Sequence, residues 1–541
     1  MLNRDGMSFF WAELEKGIKR SLLFTTDGMG QVELAETELL NITQDLKENW
    51  GFFFLLDLSA MDLVDEAKRP RFQIIYELLN LEHYLRLRLI VKTDGKKVPS
   101  LKNLWPNSVG YEREALDLYG LSFDESEKKT RLLSSSNFIG HSGLKDFSHQ
   151  KCVETKFAER SAFSLETFGP QNPQTEGPFL LKFNFHDEKI SELDLEIGYA
   201  HKGIEKLLES KTFVQALPIL ERMDFCTGHF SSLAWCHMVE TADGKTIPEK
   251  ARALRMLFSE LVRIYSHMSS LILIADEARL ESMSWSLLRE QERLSQLFAK
   301  FNGSRVLDGV YSIGGVAQDL PIGWGSLCQT TLKSIKKTIQ SLSKQTTRSR
   351  QWMNRMGLSP LSAKQALDWG VTGPMLRACG VNYDLRKIIG HYFYKDIEFE
   401  IPLGINGDCY DRVLVKIEEI YQSSKICEQL IDNLPAGDFH LFDSQLAGQS
   451  DHPQQLIAKE LRFSIGPNLK TGIHEASLEA PTGHLSLTAH VDSRNTATRV
   501  RLRTPGFPLS QLYPLLVRGL SLEQSMTALS SLHLRAAEVD R

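Results

Sequence analysis

The chain has 541 residues, 42% of them hydrophobic and 24% charged, with 63 Lys and Arg against 68 Asp and Glu and a net charge of −5. That balance fits two or more folded domains and excludes disorder as the main state, and it offers no broad positive field for a phosphate backbone, so no nucleic-acid partner is expected. The seven cysteines include no Cys-x-x-Cys pair, so zinc-ribbon and iron–sulfur spacings are absent, and an odd, scattered set suits reduced thiols in the cytoplasm. No window approaches the ~20 apolar residues that a bilayer crossing needs, so membrane association is expected only through partner subunits.

Taken in chain order, the pattern predicts an α+β unit first. A helix is expected over 37–50, followed by strands over 52–58, 72–79 and 84–92. In the third strand Leu85, Leu87 and Leu89 alternate with Arg86 and Arg88, a period of two that implies one buried and one wet face. Asp94-Gly95 supplies a turn, and from about Leu133 to Asn172 the composition shifts to Ser, Asn, Gln, His and Gly, as in a linker. Beyond it, strands lead into a helical middle, and from about Leu456 short strands and turns return.

The clearest element is a long helix in the middle. Thr246 and Glu249 have capping-box spacing, with Pro248 in the first turn. Leu254, Leu257, Phe258, Leu261, Ile264, Tyr265, Met268, Leu271 and Ile272 then form one apolar stripe, which places the helix in a bundle core. Glu260, Arg263 and His267 follow at three and four residues on another face, as in a buried polar ladder. Further helices are expected over 283–301, 327–356 and 408–434.

Trp105-Pro106, Tyr111-Glu112-Arg113-Glu114, Asp117, Tyr119-Gly120-Leu121 and Phe123 form a compact charged and aromatic motif. Alone, Glu-Arg-Glu reads as a solvated helix end or a structural ion-pair network. In this order, with Pro99-Ser100 before it and Gly140-His141 to Lys145-Asp146-Phe147 after it, the segment 45–147 resembles the 30-kDa subunit of respiratory complex I. That resemblance implies a docking role for the motif.

The rest of the chain carries a longer series. It includes Gly169-Pro170-Gln171-Asn172-Pro173-Gln174-Thr175-Glu176-Gly177, the run Ile197 to Lys206, Gln215 to Pro218, and Glu221-Arg222-Met223-Asp224. Gly303-Ser304-Arg305, Gly314-Gly315-Val316, Gly373-Pro374, Asp384-Leu385-Arg386, Gly407 to Arg412, Glu479 to Gly483 and the terminal Glu538-Val539-Asp540-Arg541 follow. In this order residues 168–541 resemble the 49-kDa subunit of complex I, a family shared with the large subunit of membrane-bound nickel–iron hydrogenases. The fold implied is α+β: a small sheet domain over 1–147, a linker over 148–168, and a hydrogenase-large-subunit-like domain over 169–541 with a central helix bundle and peripheral short strands.

The resemblance also implies roles. The hydrogenase branch carries four metal-binding cysteines, two of them after the residue matching Arg222 and two near the C-terminus. Here Asp224 and Thr227 hold the first pair of places, while His533 to Glu538 put arginine and glutamate in the second, so no nickel and no other metal is expected. Cys226 and His229 lie three apart and read as packing residues. Quinone-reducing members use a loop histidine and a tyrosine to bind the quinone head group and supply protons; this chain has Glu176 and Phe225. Glutamate moves a proton only if burial raises its pKa toward neutrality, and phenylalanine has no exchangeable hydrogen. The resemblance also matches His267 to the family's histidine on the long helix and Glu277 to its acidic residue past the apolar stretch, so the candidate catalytic set it implies is Glu176, His267 and Glu277. Gly177, Phe225 and Thr227 are expected to line the quinone cleft, while His201, Lys202 and Arg222 face a partner's iron–sulfur cluster.

No Gly-x-Gly-x-x-Gly follows a strand, so this chain is expected to bind neither NADH nor flavin; those groups and the clusters belong to partners, with quinone as substrate. The implied role is a fused 30-kDa and 49-kDa component of a complex I-like NADH-quinone oxidoreductase, peripheral on the cytoplasmic face of the plasma membrane. It would be held there by a small iron–sulfur subunit, by the membrane subunit that forms the quinone chamber and by other peripheral-arm subunits. Two alternatives stay open: a hydrogenase-like energy-converting complex of the formate hydrogenlyase type without its metal, and a non-catalytic coupling role.

Overall fold

The computed structural model describes residues 4–25, 29–64, 70–95, 97–124, 131–135, 137–147, 166–171, 175–224, 226–441 and 466–541. The first unit is a sheet of β1 (Leu23–Phe24), β2 (Gly30–Leu34), β3 (Phe54–Asp62), β4 (Phe72–Asn80) and β5 (Leu85–Thr93), ordered β1-β2-β5-β4-β3. Only the β2–β5 pairing is parallel. Helices α1 (Arg4–Ile18), α2 (Leu39–Glu48) and α3 (Ser108–Tyr119) complete it. The sequence pattern passed over α1 and β2, although Trp11, Leu14 and Ile18 give α1 a buried stripe at helical spacing.

The second unit opens with β6 (Glu166–Phe168), β7 (Leu180–His186) and β8 (Lys189–Glu196), an antiparallel three-stranded sheet. Glu166–Phe168, assigned to the linker by composition, therefore belong to this domain because they pair with Leu181–Phe183. Leu133, where the linker composition begins, is buried against the core.

Short helices α4 (Ile204–Leu208) and α5 (Ala216–Glu221) lead to α6 (Thr227–Asp243), α7 (Glu249–Glu277) and α8 (Glu281–Asn302). A small hairpin, β9 (Tyr311–Ser312) with β10 (Gly315–Val316), precedes α9 (Trp324–Arg348) and α10 (Arg350–Met356). The single helix expected over 327–356 is broken at Ser349, which leaves the helical region and accepts from Trp352 N at 3.2 Å, capping the second piece. Then come α11 (Ala363–Asp368), α12 (Pro374–Ala378), α13 (Leu385–Ile388) and α14 (Cys409–Asp432). The chain ends with the antiparallel sheet β11 (Gly472–Ala480), β12 (Gly483–Val491) and β13 (Ala497–Arg503), then α15 (Gly506–Leu516), α16 (Leu522–Leu532) and α17 (Ala536–Asp540). The strands expected from about Leu456 are found over Gly472–Arg503, and three helices that the sequence pattern passed over follow them; residues 456–465 of that expectation lie outside the described residues.

α7 is the central strut, packed by α14, α8 and α16. Its expected capping box is absent: Pro248 is the N-cap in extended backbone and no side chain caps the helix. By length and composition α7 suffices to cross a bilayer, contrary to the sequence expectation, but 83% of its most apolar window is buried inside the protein. Buried Arg255, Glu260 and Arg263 punctuate it.

The two units meet through charge. The expected wet face of β5 is dry: Arg88 is fully buried, and Arg86 and Arg88 both bridge Glu77 and Glu475 of β11 at 2.5–2.8 Å. From β13, Arg501 reaches Asp57 at 2.6 Å and Glu114 at 2.9 Å, and the terminal Arg541 also reaches Glu114 at 2.9 Å. Glu114 of the Glu-Arg-Glu motif therefore docks the first unit onto the second, while Glu112 accepts from Ser100 Oγ and Leu101 N within the first unit.

Candidate functional site

Four segments converge around Glu176. The loop after β6 delivers Glu176, the turn after α5 delivers Asp224, α7 delivers Ser266, and the segment between α16 and α17 delivers His533 and Arg535. His533 ends α16 in the left-handed region with φ 60°, a conformation that reverses the chain and returns Arg535 inward. Glu176 and Arg535 form a parallel bridge, with Ala536 N donating to Glu176 O at 2.9 Å.

Arg535 is the hub. It donates from Nε to Glu176 Oε2 at 2.7 Å, from Nη1 to Asp224 Oδ2 at 3.3 Å, and from Nη2 to Ser266 Oγ at 3.2 Å. His533 Nε2 lies 2.9 Å from Arg535 Nη2 and 3.2 Å from Glu176 Oε2. Burial alone would raise the Glu176 carboxyl, but the Arg535 guanidinium beside it outweighs burial and holds it well below the usual range. The condition under which Glu176 carries protons near neutrality is not met; it is a fixed carboxylate whose side chain is 21% exposed. Burial keeps His533 neutral, with its pKa lowered to about 4.

Arg535 and Asp224, two of the places at which the resemblance to the hydrogenase branch implied thiolates, pair with each other here. A guanidinium that stays charged at every accessible pH repels a metal cation, so these residues do not fit a nickel–iron group. At a third place Glu538 is fully buried, accepting from Thr482 Oγ1 and Gly506 N at 2.9 and 2.8 Å. Burial and the nearby Asp224 push its carboxyl up to about 7. Among the described residues no three His, Cys, Asp or Glu side chains group as a metal set. Cys226 and His229 are buried packing residues, the thiol pushed by burial up to about 11 and the imidazole bonded to Tyr311.

The other expected site residues are only partly brought together. Gly177 abuts the C-terminal segment, where a Cβ would meet the Ala536 Cβ at 2.7 Å. Phe225 lies outside the described residues, and Thr227 begins α6. His267 is fully buried but turns to Glu419 of α14 at 2.8 Å instead of Glu176; Ser266 beside it makes the contact with Arg535. Burial lowers the His267 pKa to about 4. Glu277 ends α7 ten residues later, roughly 15 Å along the axis, and does not join the cluster.

His201, Lys202 and Arg222 do gather at one surface. Asp540 accepts from Gly198 N and Ala200 N at 2.8 and 2.7 Å, and its carbonyl meets His201 Nδ1 at 2.7 Å. Lys202 donates to the carbonyls of Arg222 and Met223 at 3.2 and 3.1 Å, leaving both side chains exposed. A cleft of about 570 Å³ lies beside them, between Tyr119 and Phe147 of the first unit and Lys206 and Arg499 of the second.

Sequence reasoning missed Lys416, a buried residue of α14 that donates to Ser270 Oγ at 2.6 Å and Ser531 O at 2.8 Å. A lysine inside an otherwise apolar stretch of α14 was the available signal. It also missed Arg499, Arg501 and Arg503, whose period of two between Val500 and Leu502 marks a charged sheet face.

These features define a two-unit polypeptide with a small sheet domain joined to a helix-bundle domain, with a polar cluster around Arg535 where the loop, the Asp224 turn and the C-terminal segment meet. The family described as respiratory-chain NADH dehydrogenase, 30 Kd subunit, matches residues 32–153, and the 49 Kd family of the same enzyme matches residues 280–541. The NADH-quinone oxidoreductase C/D protein of Bdellovibrio bacteriovorus is 30% identical over 525 residues covering 92% of both chains. Proteins of the same name from Acidiphilium cryptum (31%, covering 91% of this chain and 89% of that one) and Gluconacetobacter diazotrophicus (30%, 99% and 96%) are also similar. The chain belongs to the family of fused C/D subunits of NADH-quinone oxidoreductase.

Proposed function

We propose that this chain is the fused peripheral-arm subunit of a complex I-like membrane oxidoreductase. With a small iron–sulfur subunit it forms the site where electrons originating from NADH reach quinone. The observation that carries this reading is the convergence of the hairpin loop, the Asp224 turn, α7 and the C-terminal segment on one polar cluster that opens to the outside at Glu176. The exposed Lys202–Arg222 surface supports contact with the partner that holds the cluster. The chain itself binds no metal, flavin or NADH in this reading; quinone is the substrate, and partner subunits hold the chain at the cytoplasmic face of the membrane.

The test is NADH-driven quinone reduction by the intact complex carrying Glu176→Ala. Loss of quinone reduction with assembly and electron input intact supports the reading, and unchanged quinone turnover removes Glu176 from the site. One observation favours the non-catalytic alternative: Arg535 anchors Glu176 as a carboxylate without a proton to give. That alternative is excluded if the wild-type complex reduces quinone in a reaction that depends on Glu176.

A further inference from the structure

Residues 320–367 contain no Asp or Glu and eight Lys or Arg, in a chain whose net charge is −5. The run includes α9 and α10, and its charge is not spread evenly around α9. Cys328, Leu332, Ile335, Ile339 and Leu342 are buried in the bundle, which turns the opposite face of the helix outward. Lys333, Lys337, Lys344 and Arg348 follow one another at intervals of four, seven and four residues. On an α-helix that spacing keeps them within about 60° of one another and makes a stripe ~22 Å long. All four are exposed, and among the described residues none of them has an ion pair, whereas Lys336 on the flank is bound to Glu428 at 2.8 Å.

α8 lies antiparallel beside this stripe: Thr338 Oγ1 donates to Glu290 Oε1 at 3.2 Å, and Arg293 reaches Ser334. That register brings Trp285, which precedes Glu290 on α8, level with the Lys344 end of the stripe, and Trp285 is 68% exposed. Leu288 of α8 and Met353 of α10 are exposed as well. Arg355 Nη1 donates to Ala278 O at 3.2 Å, which holds α10 against the α7–α8 corner. Arg289 and Arg293 are exposed and share the single buried carboxylate of Glu290, so they add positive charge between the two helices. The exposed carboxylates nearby are Asp276 and Glu281 at the corner, while Glu292 is bound by Arg305.

A solvated helix face ordinarily mixes both signs in pairs three or four residues apart, whereas a stripe of one sign concentrates anions. We propose that the α9 stripe, with Trp285 beside it, is a direct contact of this subunit with anionic phospholipid headgroups at the membrane surface. The inference rests on the functional reading above for the chain's place at the membrane, and it adds a lipid contact to the hold exerted by partner subunits. Lysine and arginine meet the headgroup phosphates, and an indole, apolar with one N–H donor, suits the headgroup level. The exposed Trp285, Leu288 and Met353 favour a lipid surface over an acidic protein, because they give the patch an apolar fringe that charge pairing alone does not use.

The full-length chain should float with vesicles that contain phosphatidylglycerol and not with pure phosphatidylcholine vesicles, and salt should weaken the binding. Lys333→Gln, Lys337→Gln, Lys344→Gln and Arg348→Gln together should weaken it by about 10²–10³-fold, and Trp285→Ala by about tenfold. Thermal unfolding should stay unchanged, because these side chains are exposed. No flotation of the wild type, or wild-type flotation of the fourfold variant, overturns the proposal. In the intact complex in lipid nanodiscs, a membrane-impermeant amine-acylating reagent should label Lys333, Lys337 and Lys344 in phosphatidylcholine discs and spare them in phosphatidylglycerol discs. Sparing in both discs means that a partner protein covers the stripe, and labelling in both means an ordinary solvated face; either result overturns the lipid contact and leaves the functional reading intact. Absence of NADH-driven quinone reduction in the same discs removes that reading, and lipid-dependent sparing there keeps the contact.

Discussion

Glu176 and Arg535 lie 359 positions apart in sequence and are joined twice, by a 2.7 Å side-chain ion pair and by a backbone bridge in which Ala536 N donates to Glu176 O. The double link fixes the hairpin loop to the C-terminal segment and brings Asp224 onto the same guanidinium. The consequence is mutual dependence, since neither carboxylate is tolerable so close to the interior without the cation.

Arg535→Met should destabilise the protein by about 3–5 kcal/mol, because it leaves Asp224 and Glu176 without their counter-charge. Adding Glu176→Gln should recover part of the loss. Thermal unfolding of the two single variants and the double variant measures the coupling, and simple additivity would contradict the linkage described here.

Glu538 gives a pH dependence opposite to that of most carboxylates. Its folded pKa of about 7 lies above the ordinary value, so the folded state prefers the protonated form. Its contribution to stability is therefore intact below about pH 4.3 and is lost progressively as pH rises to about 7. Glu538→Gln should match the wild type near pH 4 and exceed it at pH 8 by about 3 kcal/mol, measured by denaturant unfolding at both values.

Glu77 and Glu205 act in the ordinary direction. Burial raises each carboxyl, but Arg88 and Arg86 for the first, and Arg499 and Arg501 for the second, outweigh it and bring both to about 2. Their stabilisation is present above about pH 4.3 and is lost as pH falls toward 2. An acid titration of unfolding should show this loss, and Arg88→Met should move its onset to higher pH.

Gly177 has φ 108°, and a Cβ there would lie 2.7 Å from the Ala536 Cβ. Gly177→Ala should cost about 1–3 kcal/mol and loosen the loop from the C-terminal segment. Hydrogen exchange at the Ala536 amide, whose bond runs to Glu176 O, reports the loosening directly.

Arg501 holds the two units together through Asp57 at 2.6 Å and Glu114 at 2.9 Å. Arg501→Met should cost about 3–5 kcal/mol and make the units melt separately. A single cooperative calorimetric transition in that variant would argue against this interface as the coupling element.

The sequence alone determined the α+β organisation, the fused 30-kDa and 49-kDa types, the strands β3 to β5 and the long helices α7, α8 and α14. Period-two and period-3.6 patterns are local, and the ordered glycine-rich blocks are specific, so both are legible without coordinates. Composition misplaced β6, because a three-residue strand depends on its partner β7 for its hydrogen bonds. The alternation of β5 showed two faces but not what covers the second, since Glu475 arrives from nearly four hundred residues away. In the same way Glu176 and Arg535 each looked like an isolated departure, and Lys416 drew no notice. Only the tertiary structure decided that the first two are one ion pair, that His267 turns to Glu419, and that Glu176 is an anchored carboxylate. Charge and proton affinity at a buried site are set by groups brought close through space, and that proximity is not written in local sequence.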